Sequence, residues 1–239
     1  MNQMHFGNSR DLFKFDLVRH IMKSLTELTN FTFVPMLTET DETKKKSTKK
    51  DLDRALREGK PGSQNRELLV YMEHLQEIED DLEYFTAIRA YFQKENIPID
   101  IFDRERFTHE KRDNYFQALF KTFPKKSLIF LDPGIGLEES RPTKKHLLMA
   151  EVKKIYDQMD TVSVMMIYQH FTRMTPVGYV KHRSTQLADL TGSTPVTITD
   201  NEIIFFILAK NPKIRAHLEL IFKQYANTYS ILKISAYGN

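Results

Sequence analysis

Ser127-Leu-Ile-Phe-Leu131-Asp132-Pro133-Gly134-Ile135-Gly136 decides the fold class. Four consecutive apolar residues suit a short strand buried on both faces and are too few for a helix, and a carboxylate with proline and glycine breakers ends the run. Strands apolar on both sides belong to sheets covered by helices above and below. A second such run spans 162–168, and shorter ones lie at 97–102 and 31–37, the latter broken near its end by Pro35. Because Pro35 removes a backbone donor, that strand lies at an edge or turns irregular at its end.

Between these runs the apolar residues recur every three or four positions. That spacing predicts helices over 8–28, 67–95, 114–123, 143–158, 179–190 and 211–225. Asn8 or Ser9 is positioned to cap the first, with Asp11 in its first turn. Residues 196–199 and 203–208 flank Asp200-Asn201-Glu202 as a tight hairpin, and 231–234 suits a last strand. The expected fold is a single α/β domain over 1–239. It is a three-layer, Rossmann-like, mostly parallel sheet with a C-terminal antiparallel hairpin. Two segments stand apart. Residues 38–65 are rich in lysine, threonine and glycine and read as a basic, mobile loop. Residues 66–96 read as one long amphipathic helix, facing the core by default and otherwise a lid or a dimer contact.

Composition excludes several classes. With 239 residues, 41% of them hydrophobic, the chain can bury a real core. It has no cysteine, which removes disulfides, thiolate metal sites and cysteine nucleophiles. No apolar run is long enough to span a membrane and no secretory segment is evident, so a cytoplasmic location is expected. The formal charge is +3, and its distribution tells more than its size. Lys44, Lys45, Lys46, Lys49 and Lys50 crowd one stretch, a pattern that suits nucleic-acid phosphates and equally a solvated loop.

In open α/β sheets, ligands bind beyond the carboxyl ends of the strands. The residues just after each strand therefore carry the candidate chemistry: Thr38, Glu39 and Asp41, then Asp103, then Asp132 with Pro133, then Gln169 and His170. Asp132 is the strongest, since a carboxylate held at a sheet edge by a stiff loop can orient an amine, take a proton or bind a metal. Its alternative role is to cap the loop through backbone amides. His170 can act as base or ligand, or be structural. Glu39, Asp41, Asp132 and His170 have no metal-site spacing, and Gly134 and Gly136 are not a phosphate loop.

Gly7-Asn8-Ser9-Arg10-Asp11-Leu12-Phe13-Lys14, opening the first helix, resembles the Gly-Asn-x-x-Asp-x-x-Lys segment of the ribosomal RNA large-subunit adenine-N6 methyltransferase J group. The segment 128–133 resembles that group's Asp-Pro-Pro-Tyr strand and loop, and 164–168 and 203–208 fall where its fifth and seventh strands come. The chain is also similar to uncharacterised prokaryotic proteins with a Gly-Asp-x-x-Lys-Tyr helix and a Leu-Asp-Pro-Asp-Asn-Gly loop. The resemblance implies a class I S-adenosylmethionine-dependent methyltransferase. In it Asp11, Lys14, Thr38, Glu39 and Asp103 border the cofactor. Asp132 and the adjoining Pro133 orient the amine being methylated, with His170 beside them. The family's Gly-rich turn is absent from 34–40, and Gly134 and Ile135 replace its second proline and aromatic residue. The resemblance thus leaves three readings: a methyltransferase on nucleic acid, a metal-dependent nuclease on the same rim, and a non-catalytic nucleic-acid- or protein-binding module on this fold, with a homodimer through 66–96 in view.

Overall fold

The run at 127–131 forms a strand inside a seven-stranded sheet. The computed structural model describes residues 5–39, 49–102, 106–121, 123–171 and 175–236. In chain order the elements are α1 (Ser9–Ser24), β1 (Asn30–Val34), α2 (Lys49–Arg57), α3 (Arg66–Leu75), α4 (Asp81–Lys94), β2 (Ile99–Ile101), α5 (Arg112–Lys121), β3 (Ser127–Leu131) and β4 (Gly136–Leu137). Then come β5 (His146–Leu147), α6 (Met149–Gln158), β6 (Val164–His170), α7 (Pro176–Thr191), β7 (Val196–Thr199), β8 (Ile203–Ala209), α8 (Pro212–Thr228) and β9 (Lys233–Ala236).

The sheet order is β2-β1-β3-β6-β8-β7-β9, and β4 with β5 forms a small separate ribbon. The first four strands are parallel, with Phe31 opposite Leu128 and Leu128 opposite Val164. Strand β8 then runs antiparallel to β6, β7 to β8, and β9 to β7. The predicted hairpin is therefore present, and two strands rather than one run against the rest. β1 lies inside the sheet and stops at Val34, so Pro35 marks an irregular end and not an edge.

Alternation along each strand sends side chains to two cores. Phe33, Phe130, Met166 and Phe205 pack under α1, α3, α4 and α8. Ile129, Leu131, Met165 and Phe206 pack under α5, α6 and α7. That is the expected three-layer, Rossmann-like arrangement. Among the described residues no helix is long and apolar enough to cross a membrane.

Several expectations change. The run at 66–96 is two helices: α3 ends at Leu75 with Gln76 as its cap, whose side chain donates to the Gly7 carbonyl at 2.9 Å, and Asp80 caps α4 by accepting the Glu83 N–H at 2.8 Å. The phase of the buried face shifts at this break. Tyr84 is buried, whereas Leu82, which belongs to the periodic stripe, is exposed. The apolar face itself (Leu68, Met72, Phe85, Ile88, Phe92) packs into the chain's own core. Residues 49–65 of the expected mobile loop are packed: Leu52 and Ala55 are buried, Asp51 accepts the Ser9 N–H at 2.7 Å, and Lys60 pairs with Glu202. Lys44, Lys45, Lys46, Asp41 and Asp103 lie outside the described residues. Lys50 is exposed on α2, where Lys49 also lies. The expected helix at 143–158 begins only at Met149, because His146 and Leu147 pair with Gly136 and Leu137.

Candidate functional site

Asp132 extends β3 by one residue, its N–H bonding the Val34 carbonyl at 2.9 Å. This fixes its side chain at the carboxyl end of the parallel strands, where it is 0% exposed. The start of α1 comes to meet it. Asn8 caps that helix by accepting the Arg10 and Asp11 N–H groups at 2.9 and 3.0 Å. Gly7, at φ +67°, makes the approach, since a Cβ there would sit 2.5 Å from the Met72 carbonyl oxygen.

Lys14, one turn into the helix, joins the two segments. Its ammonium lies 2.9 Å from Asp132 Oδ2 and 3.1 Å from Asp11 Oδ1, and 4.3 Å from the centre of the Tyr168 ring. Asp11 Oδ2 accepts the Gly7 N–H at 3.1 Å and the Tyr84 hydroxyl at 3.0 Å. The Tyr168 hydroxyl pairs with His170 Nε2 at 2.9 Å. Two carboxylates and one ammonium give this buried cluster a formal charge of −1.

Environment sets the protonation states. Burial pushes the Lys14 ammonium down, but Asp132 and Asp11 outweigh it, and the group ends above the usual lysine range. Burial raises the Asp132 carboxyl against the opposing pull of Lys14. It also raises the phenols of Tyr84 and Tyr168. Burial, with Arg10 and Lys14 nearby, lowers His170 to about 3, so its imidazole is neutral at physiological pH.

The loop after Asp132 is stiff, as its composition implies. Gln169 accepts the Leu137 N–H at 2.7 Å, and His170 donates its N–H to the Ile135 carbonyl at 2.8 Å. A Cβ on Gly136, at φ +140°, would collide with the Gln169 amide.

Not every sequence candidate joins the cluster. Thr38 is buried after β1, but Glu39 is exposed and pairs with Lys144 at 3.1 Å. Met36, in the turn where the resemblance expects glycine, has φ +40°. A bulky side chain rarely occupies that left-handed region. Among the described residues no three His, Asp or Glu side chains gather as metal ligands. Sequence reasoning missed Tyr84, which lies one position off the reach of the apolar stripe in α4. Its usable signal was the acidic run ending in Asp80, a helix start.

A cavity of about 110 Å³ opens between the ends of β1 and β2, lined by Pro35, Leu37, Phe85, Phe102, Asp81 and Arg106. Arg106 reaches Asp81 Oδ2 at 2.6 Å, while Asp81 Oδ1 is buried with no hydrogen-bond partner among the described residues. Comparison with family models, with curated proteins and with solved structures yields no match for this chain.

Proposed function

We propose that the protein is an S-adenosylmethionine-dependent methyltransferase acting on an amino group of a nucleic acid. One observation carries the reading: two segments 118 residues apart in sequence, each resembling the same family, meet through the Lys14–Asp132 contact of 2.9 Å at the carboxyl end of the sheet. The antiparallel β8 beside β6 also agrees with the place of that family's seventh strand.

The residues at hand suit such a cofactor in chemistry. Leu37, Phe85 and Phe102 offer apolar walls for a flat base, and the unsatisfied Asp81 Oδ1 offers an acceptor for hydroxyls. The described walls enclose less than a whole nucleoside needs, and the chain that follows Glu39 and Phe102 lies outside them. The cofactor supplies an electrophilic methyl group. Lys14 holds Asp132 in one orientation, and Asp132 would accept the N–H of the target amine, whose proton leaves to solvent after methyl transfer.

Calorimetric titration with S-adenosylmethionine and with its demethylated product tests this. One-to-one binding is expected, weakened at least tenfold in Asp81→Asn. Transfer of a labelled methyl group to RNA or DNA should fall about 100-fold or more in Asp132→Asn, with cofactor binding kept. Absence of heat with both ligands refutes the proposal.

A further inference from the structure

On the face of the sheet that carries α6 and α7, beyond the 133–137 loop, lies a much larger open cleft of about 990 Å³. Its walls include Ile135, Met149, Phe171 and Tyr179 as apolar surface and Arg183 as a buried cation. We infer that this cleft is a binding site for a phosphate monoester or diester, anchored by Arg183. The inference does not depend on methyl transfer.

Arg183 is only 6% exposed. Its Nε donates to the Tyr179 hydroxyl at 3.2 Å and its Nη1 to Gln186 Oε1 at 2.9 Å, and the guanidinium lies 5.4 Å from the Tyr179 ring centre. All of these partners are neutral. Among the described residues no carboxylate lies within ion-pair distance of Arg183, and its Nη2 has no acceptor. A guanidinium does not lose its proton in a protein, so the charge stays buried and unbalanced.

Arg112 supplies the contrast within the same chain. It is equally buried, yet its Nη1 meets both Glu151 oxygens at 2.8 Å and its Nη2 bonds the His146 carbonyl at 2.8 Å. Glu151 neutralises Arg112; among the described residues Arg183 has no such ion-pair partner, and it sits in the wall of an open cleft. Tyr179 and Gln186 hold its fork in one orientation, which lowers the entropy lost when it grips the oxygens of an anion. Glu138 and Glu139 also line the cleft, beyond ion-pair reach of the guanidinium. Phosphate fits better than a bare carboxylate because the space is nucleotide-sized and Phe171, half-buried, lines it with an aromatic ring.

The test uses the full chain, with inorganic phosphate as one probe and a fluorescein-labelled single-stranded oligonucleotide as the other. Arg183→Met keeps the packing stem and removes the charge; Arg183→Lys keeps the charge and removes the fork. Phosphate should raise the wild-type melting temperature, and the Met variant should lose that rise. If the source of the phosphate is a polynucleotide, anisotropy should show binding at least tenfold weaker in Arg183→Met and partly weakened in Arg183→Lys. If only free phosphate binds, the site takes a small phosphorylated ligand instead. The inference is overturned if the wild type binds neither probe, or if the charge-free variant binds as tightly. Should Arg183→Met fail to fold, unchanged affinity in Arg183→Lys overturns it. S-adenosylmethionine titration of the same samples separates this result from the fate of the methyltransferase proposal.

Discussion

Replacing Lys14 with methionine probes the centre of the candidate site directly. The ammonium lies about equally close to two carboxylates, at 2.9 and 3.1 Å, and all three groups are nearly or fully buried. At an effective dielectric of about 20, each contact contributes about 5 kcal/mol of attraction, most of it offset by desolvation. Removing the cation alone leaves two buried carboxylates facing each other. Breaking a buried pair in this way costs about 3–5 kcal/mol, a large share of the stability of an ordinary domain. Changing Asp132 to asparagine in the same chain removes one of the stranded charges. Asp11 keeps its bonds from the Gly7 N–H and the Tyr84 hydroxyl, so the double variant should lose only about 1–2 kcal/mol. Urea unfolding of the wild type, both single variants and the double variant at pH 7 measures the coupling, and the double variant should be about 2–3 kcal/mol more stable than Lys14→Met alone. The sign with pH is also fixed. Burial raises the Asp132 carboxyl in the folded state, so its ionisation costs stability as pH rises through that raised value, and Lys14→Met enlarges the cost. The deficit of the single variant should therefore shrink as pH is lowered. A loss below about 1 kcal/mol, or a double variant no better than Lys14→Met, would falsify the argument that Lys14 neutralises the site.

Three other outcomes follow from the same geometry. His170 is held near 3 in the folded chain against an ordinary 6.5. The unfolded state therefore binds more protons between these values, and stability falls as pH drops through that window, by about 2 kcal/mol at pH 5. His170→Gln should flatten the acid limb of a pH–stability curve; an unchanged limb assigns the acid sensitivity elsewhere. Gly136→Ala forces a Cβ into the Gln169 amide in a backbone conformation that L-residues avoid, with an expected cost of about 2 kcal/mol or more by denaturant unfolding and weaker binding of phosphate in the large cleft. Phe130→Ala removes a ring packed between Phe33 and Phe205, at 5.4 and 6.1 Å, and should cost about 3–5 kcal/mol; a cost under 1 kcal/mol would mean the site collapses around the void.

What the sequence made legible follows the range of the forces involved. Buried runs such as 127–131 and 164–168 announce their strands because both neighbours in the layer stack demand apolar surface, and a local pattern records that demand. The carboxyl-end position of Asp132 and His170 is legible for the same reason, as the place where such a run stops. Helix 66–96 misleads because apolar spacing continues through a chain break. The capping chemistry of Asp80 starts a new helix there, and the Gln76 side chain at the end of the first is tied to Gly7, a partner 69 residues away. Likewise, Arg183 belongs to a basic group of three in the sequence, while burial separates it from Lys181, which is exposed. Charge counts do not reveal which cations are balanced; only the folded partners do.

That distinction bears on how the two sites relate. The Asp11–Lys14–Asp132 cluster carries an excess of negative charge on the α1 face, and Arg183 carries an unbalanced positive charge on the α7 face. The 133–137 loop is tied to β6 at Ile135 through His170 and at Leu137 through Gln169. A loop that only closed the sheet would not need that rigidity. Ile135 of this loop lines the large cleft, so loosening the loop at Gly136 should weaken ligand binding there even though that substitution touches neither the guanidinium nor its partners.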